Sequence, residues 1–137
     1  MSVRVADRGL SRMEYVHNAQ TILYIVNERI NKYVNKAVAN KKHKQLVKMS
    51  LYSLWNSPIY HAQLIYKYSE LAYMKRKTTQ GLKFLELLSQ NLTLLESSLQ
   101  TFYQSFRPVI KDKFIILITE KIDYEKKLLK GVRNGSC

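Results

Sequence analysis

A chain of 137 residues with four Gly, two Pro and a single Cys has room for one core but few turns. That excludes an intramolecular disulfide and a β-sandwich, which needs a turn roughly every 8–12 residues. Its 23 Lys+Arg against 10 Asp+Glu leave a net charge of +13 and a pI of about 9.9, a balance that calls for polyanionic partners: nucleic acid, an anionic membrane surface or an acidic protein. With no apolar run of about eighteen residues and no signal-peptide pattern, the chain reads as a soluble, cytoplasmic, all-α domain with no membrane partner.

Residues 1–10 are polar, contain Asp7-Arg8-Gly9 and read as an extended N-terminal arm. Ser11 then offers an N-cap oxygen with Glu14 three residues on, the spacing of a capping box. In the first helix Met13, Val16, Leu23, Val26, Ile30, Tyr33 and Ala37 share one face, and Arg12, Arg29, Lys32 and Lys36 fall off it. The helix should end near Ala39-Asn40. Lys41-Lys42-His43-Lys44 follows as a basic corner. A second helix carries Leu46, Met49, Tyr52, Trp55, Ile59, Ala62 and Tyr66, with Pro58 in its path. Pro58 either kinks this helix or opens a new one behind a Ser57 cap. The kink is favoured because no glycine stops the chain there.

No Gly or Pro marks the next boundary. It is placed near Lys67 to Ser69, because one helix over 59–106 would be about 70 Å long. In the third helix, over 70–106, the apolar residues Leu71, Met74, Leu85, Leu88, Leu92, Leu95, Leu99, Phe102 and Phe106, with Thr78 and Gly81 filling the register, step by threes and fours. This is the spacing of a stripe that must be buried against other helices. Gly81 sits on that seam, where its use would be close backbone approach to a neighbouring helix. Arg107-Pro108 is the clearest break. The fourth helix carries Phe114, Ile115, Leu117, Ile118, Ile122 and Leu129, with lysines in its last turns, and Gly131 should end it. The expected fold is an up-and-down four-helix bundle over 11–131, followed by a tail over 132–137.

Signals for catalysis and metal binding are weak. Glu14 and His17 have the Glu-x-x-His spacing of carboxylate-bridged di-iron bundles, but no second pair exists. His43 lies in a lysine run, His61 has no ligand set, and Cys137 has no base near it. No nucleophile elbow and no phosphate-cradling glycine loop appears. The reading is therefore a non-enzyme with no catalytic residue, metal or cofactor.

The basic residues are the stronger signal. None occurs between Phe84 and Phe106. They gather as Lys41, Lys42, Lys44 and Lys48, as Lys75, Arg76 and Lys77, and as Lys126, Lys127, Lys130 and Arg133. Contacts from such groups to phosphates give affinity without reading sequence; the plainer alternative is a solvated lysine face. The first and third clusters are expected to form one surface. Tyr52, Tyr60, Tyr66, Tyr68 and Tyr73, half of the ten tyrosines, either stack on bases or, as is favoured, fill a subunit interface.

The run Ser2-Val3-Arg4-Val5-Ala6-Asp7-Arg8-Gly9-Leu10-Ser11-Arg12-Met13-Glu14-Tyr15 resembles the opening of the accessory variability proteins of diversity-generating retroelements. The rest agrees in pattern: four helices, Ile59-Tyr60 in the second, a basic cluster opening the third, then Leu85-x-x-Leu88-x-x-x-Leu92. The resemblance implies a barrel-like, ring-shaped homopentamer of basic four-helix bundles without catalysis. It implies a reverse transcriptase as partner, and contact with template RNA during mutagenic cDNA synthesis. It assigns Lys75 and Arg76 to the family's early third-helix basic cluster. The chain departs from the family in having no clear loop between Ile59 and Gln80. The alternative to this reading is a helical scaffold whose basic face meets an acidic protein.

Overall fold

A computed structural model describes residues 12–133, apart from the side chains of Asp112 and Arg133. It is all-helical over these residues. The elements are α1 (Glu14–Val38), α2 (Lys44–Ser50), α3 (Tyr52–Met74), α4 (Thr79–Phe106), a 3-10 turn over Arg107–Val109 and α5 (Asp112–Arg133). The arm over 1–10, the Ser11 cap and residues 134–137 lie outside the described residues.

Apolar spacing explains why these helices pack. Along α4, Leu85, Leu88, Leu92, Leu95, Leu99, Phe102 and Phe106 are all buried, each worth roughly 1.5–3 kcal/mol when fully removed from water. Val16, Ile22, Val26, Ile30 and Tyr33 of α1 join them, as do Ile59, Ala62 and Ile65 of α3 and Phe114, Ile118, Ile122 and Leu129 of α5. The pairings are antiparallel. Asn18 of α1 reaches Lys121 and Glu125 of α5, while Tyr33 meets Phe114. His61 of α3 meets Asn91 of α4, and Tyr68 stacks on Phe84. Glu96 of α4 pairs with Lys126 of α5. The start of α1, the α3–α4 turn and the end of α5 therefore share one end of the molecule. The corner after α1, α2, the end of α4 and the start of α5 share the other.

Several expectations are corrected. Helix α1 begins at Glu14 with Met13 in the cap position and no side-chain cap bond, so Glu14 opens the first turn instead of closing a capping box. The second helix is interrupted at Leu51, and α3 then runs unbroken through Pro58. Pro58 therefore lies inside a helix, as favoured, and does not open a new one behind a Ser57 cap. Its missing N–H falls on the carbonyl of Leu54 in the turn before it, and the break lies just upstream, where the Leu54 and Trp55 amides both donate to the carbonyl of Leu51. The boundary expected near 67–69 lies at 75–78. Ser69 and Ala72 are fully buried, so apolar packing carries α3 past that point until the polar run Lys75-Arg76-Lys77-Thr78 turns the chain. Leu71 and Met74 thus belong to α3, and Met74 is exposed. Helix α5 continues through Gly131 to Arg133, because buried Val132 anchors its last turn.

The two helical glycines have opposite surroundings. A Cβ on Gly81 would lie 2.5 Å from the carbonyl oxygen of Lys75 and 3.3 Å from the Cα of Arg76. The close approach is therefore to the α3–α4 turn and not to a neighbouring helix. A Cβ on Gly131 would meet nothing within 4 Å. Gly81→Ala should destabilise the fold by about 1–2 kcal/mol, the overpacking cost less the helix-propensity gain. Gly131→Ala should stabilise it by about 0.5–1 kcal/mol. Urea unfolding of the two variants checks both signs.

Candidate nucleic-acid interface

The basic clusters stand where these pairings put them. Lys41 and Lys42 are exposed on the corner between α1 and α2, which turns through His43 in the left-handed region at φ 59°. Lys44 is exposed on α2. Lys48 is half-buried: its Nζ donates to Asn35 Oδ1 at 2.9 Å, and its carbonyl accepts from the indole N–H of Trp55 at 3.0 Å. Lys75 and Lys77 are exposed in the α3–α4 turn. Between them the Arg76 guanidinium lies 4.4 Å over the ring of Tyr73 and donates to that residue's carbonyl at 3.0 Å. Lys126 is tied to the carboxylate of Glu96, whereas Lys127 and Lys130 are exposed. Arg133 ends α5, its side chain outside the described residues.

The surface expected to unite 41–48 with 126–133 does not form. Antiparallel alternation sends α5 away from the corner, so its last turns share an end with 75–77 instead. Cations joining 41–48 come from elsewhere: Lys32 and Lys36 near the end of α1, Arg107 and Lys111 between α4 and α5, and Lys113 in the first turn of α5, all exposed. One signal for this end was present in the sequence. From 29 to 69 there is no Asp or Glu, while Arg29, Lys32, Lys36, Lys41, Lys42, Lys44 and Lys48 fall in its first half. At the other end acids are interspersed: Glu14, Glu70, Glu120 and Asp123.

This same cationic end carries apolar surface. No residue of α2 is buried. Leu46, Met49 and Tyr52 are 64%, 69% and 53% exposed, although their spacing suggested the buried face of a longer helix. Tyr52 packs edge-on against Trp55 at 5.1 Å. Of the remaining tyrosines in that group, Tyr60 is exposed while Tyr66, Tyr68 and Tyr73 pack against the core.

One buried acid stands apart. Glu125 is fully buried between α5 and α1, where its Oε1 accepts from Asn18 Nδ2 at 3.1 Å; among the described residues its Oε2 has no hydrogen-bond partner. Burial pushes its carboxyl from 4.5 up to about 8, and the bond from Asn18 opposes only part of that. Such a group can signal a catalytic acid, but Glu125 lines neither described cavity. His61 is engaged with Asn91 at 3.2 Å. Among the described residues, no three His, Cys, Asp or Glu side chains gather as metal ligands, and no helix is long and apolar enough to cross a membrane. The chain matches no family model, no curated protein and no solved structure.

Glu125 makes stability depend on pH with a defined sign. The folded chain holds this proton more tightly than the unfolded chain. Its contribution is therefore whole below pH 4.5 and is lost as pH rises towards about 8. Glu125→Gln keeps the shape and removes the titration. Its melting temperature should fall less than the parent's across that span. Parallel curves for the two proteins would contradict a carboxyl held neutral by burial.

Proposed function

We propose that this chain is a non-enzymatic, basic accessory protein that binds a retroelement reverse transcriptase and its template RNA or cDNA in the cytoplasm, supporting mutagenic reverse transcription. The nucleic-acid part rests on one observation: the cations from Arg29 to Lys48, joined by Arg107, Lys111 and Lys113, far outnumber the acids of that end, Glu28 and Asp112. Phosphates suit such an end because lysine offers mobile point charges that follow a backbone without demanding one geometry. The polymerase and the ring enter through the resemblance of residues 2–15 to accessory variability proteins. In this reading α1, α3, α4 and α5 form an up-and-down bundle that assembles as a ring-shaped homopentamer.

A second reading has a specific observation in its favour. Phosphates cannot cover Leu46, Met49 and Tyr52, whereas an acidic protein with an apolar stripe covers both kinds of surface at once. The chain would then be a scaffold with no nucleic-acid role.

The two separate in a salt titration against single-stranded RNA, followed through Trp55, the only tryptophan, whose indole lies beneath α2. The accessory reading expects log affinity to fall with log salt by about 0.7 per phosphate contacted, a slope near −3 for roughly four contacts. Lys41→Ala/Lys42→Ala/Lys44→Ala should make the slope shallower by about 2. Absence of measurable RNA affinity at low salt would leave the scaffold reading. A protein that sediments as a monomer at micromolar concentration would count against the ring.

A further inference from the structure

Between α1 and α5, near the start of α5, lies a cleft of about 160 Å³ lined by Arg29, Tyr33, Lys111, Lys113, Phe114 and Leu117. Its composition divides sharply. Tyr33 and Phe114 are almost wholly buried and meet edge to face at 5.5 Å. With Leu117, which is 36% exposed, they make an apolar floor. Three cations stand around that floor, all exposed and none bonded to an acid among the described residues. Two acids adjoin these cations in sequence: Glu28, just before Arg29, which raises the pKa of the Tyr24 hydroxyl, and Asp112, between the lysines, its side chain outside the described residues. Like charges gathered on one concave surface repel one another, and an anion seated among them relieves that repulsion.

We propose that this cleft is an anion pocket that seats one phosphate of a single-stranded nucleic acid, with the adjoining sugar or base resting on the Tyr33–Phe114–Leu117 floor. The inference deepens the nucleic-acid reading above and rests on it. The volume suits a phosphate with part of its nucleoside and is too small for a folded partner. Arg29 supplies a planar fork that can hold two phosphate oxygens at once, and Lys111 and Lys113 supply point charges on the opposite wall. From Arg29 the cations continue along α1 to Lys32 and Lys36, spaced three and four residues apart on one helical stripe. The track then reaches Lys41, Lys42 and Lys44 at the corner. A strand anchored in the cleft is thereby directed towards α2 and away from the end that carries 75–77.

Fluorescence anisotropy of a labelled twelve-nucleotide oligouridylate, titrated in salt against the full chain, tests this. Arg29→Ala/Lys111→Ala/Lys113→Ala should weaken binding at least tenfold at low salt and make the slope shallower by about 0.7, the share of the one phosphate seated there. Lys67→Ala/Lys83→Ala removes exposed lysines from outside the cleft and should move affinity less than threefold. Leu117→Glu, a surface change that adds an opposing charge at the floor, should also weaken binding about tenfold. Parent-like affinity in both the triple variant and Leu117→Glu would overturn the pocket and leave RNA binding intact. Equal loss per removed charge in the triple variant and the Lys67/Lys83 control would also overturn it, reducing the effect to net charge. A parent protein that fails to bind the oligonucleotide at low salt would overturn the nucleic-acid reading, and the pocket with it.

Discussion

The contact on which the architecture turns is that of Gly81 with the carbonyl of Lys75, where a Cβ would lie 2.5 Å from the oxygen. It closes the turn between α3 and α4, which share more contact than any other pair of helices. Hydrogen bonds hold the turn besides: the Arg76 amide and guanidinium donate to the carbonyl of Tyr73, and the Gly81 amide to that of Thr78. Thr78 supplies an extended residue before α4, and its hydroxyl donates to the same Lys75 carbonyl at 2.9 Å. Once this turn is set, the register of the pair follows: Tyr68 falls on Phe84 and His61 on Asn91. The seam of α4 is then presented to the rest of the core in one orientation only.

Placing the charges is a consequence of that packing, since lysine and arginine heads must stay in water while apolar stripes are buried. Helix α4 contributes the longest run of core and carries no cation between Phe84 and Phe106. The acid-free stretch begins on the outer side of α1 and passes through the corner and α2. Because the long helices alternate in direction, stretches far apart in the chain meet at one end. Lys111 and Lys113 arrive beside Arg29 in this way. Segregation along the sequence thereby becomes segregation in space, and repulsion among these cations is a cost that salt screens and an anionic partner would offset.

Sequence periodicity identified the class of the fold and most of the core because burial repeats with the helical turn. From Leu85 to Phe106 every expected seam position is buried. It failed where the decisive partner is not local. The 75–78 turn contains no Gly or Pro, and Gly81 acts from inside the following helix. Leu46, Met49 and Tyr52 have helical spacing, yet spacing says only that residues share a face and not whether another helix covers it. The cleft was invisible for a similar reason. Arg29 belongs to one end of the sequence and Lys111 and Lys113 to the other, so no local motif joins them.

Stability is distributed unevenly in a way that bears on the cationic end. A seven-residue helix is too short to hold itself in water, and α2 buries no side chain of its own. What fixes it is polar and sparse, Lys48 on Asn35 and the Trp55 indole on the Lys48 carbonyl, and it is opposed by a left-handed His43 that costs roughly 1–3 kcal/mol. Local opening should therefore begin here, in contrast to the α3–α4 pair. An element with few internal contacts and exposed Leu46 and Met49 gains more from a covering surface than a well-packed one does, because burial of those side chains was not already counted in the fold. At the opposite end Lys75, Lys77, Lys127 and Lys130 are exposed beside Met74, but the Arg76 head already sits on Tyr73, Lys126 on Glu96, and acids are interspersed. Charge and unspent apolar surface thus coincide most fully at the α2 end, and it is there that a partner has the most free energy to gain.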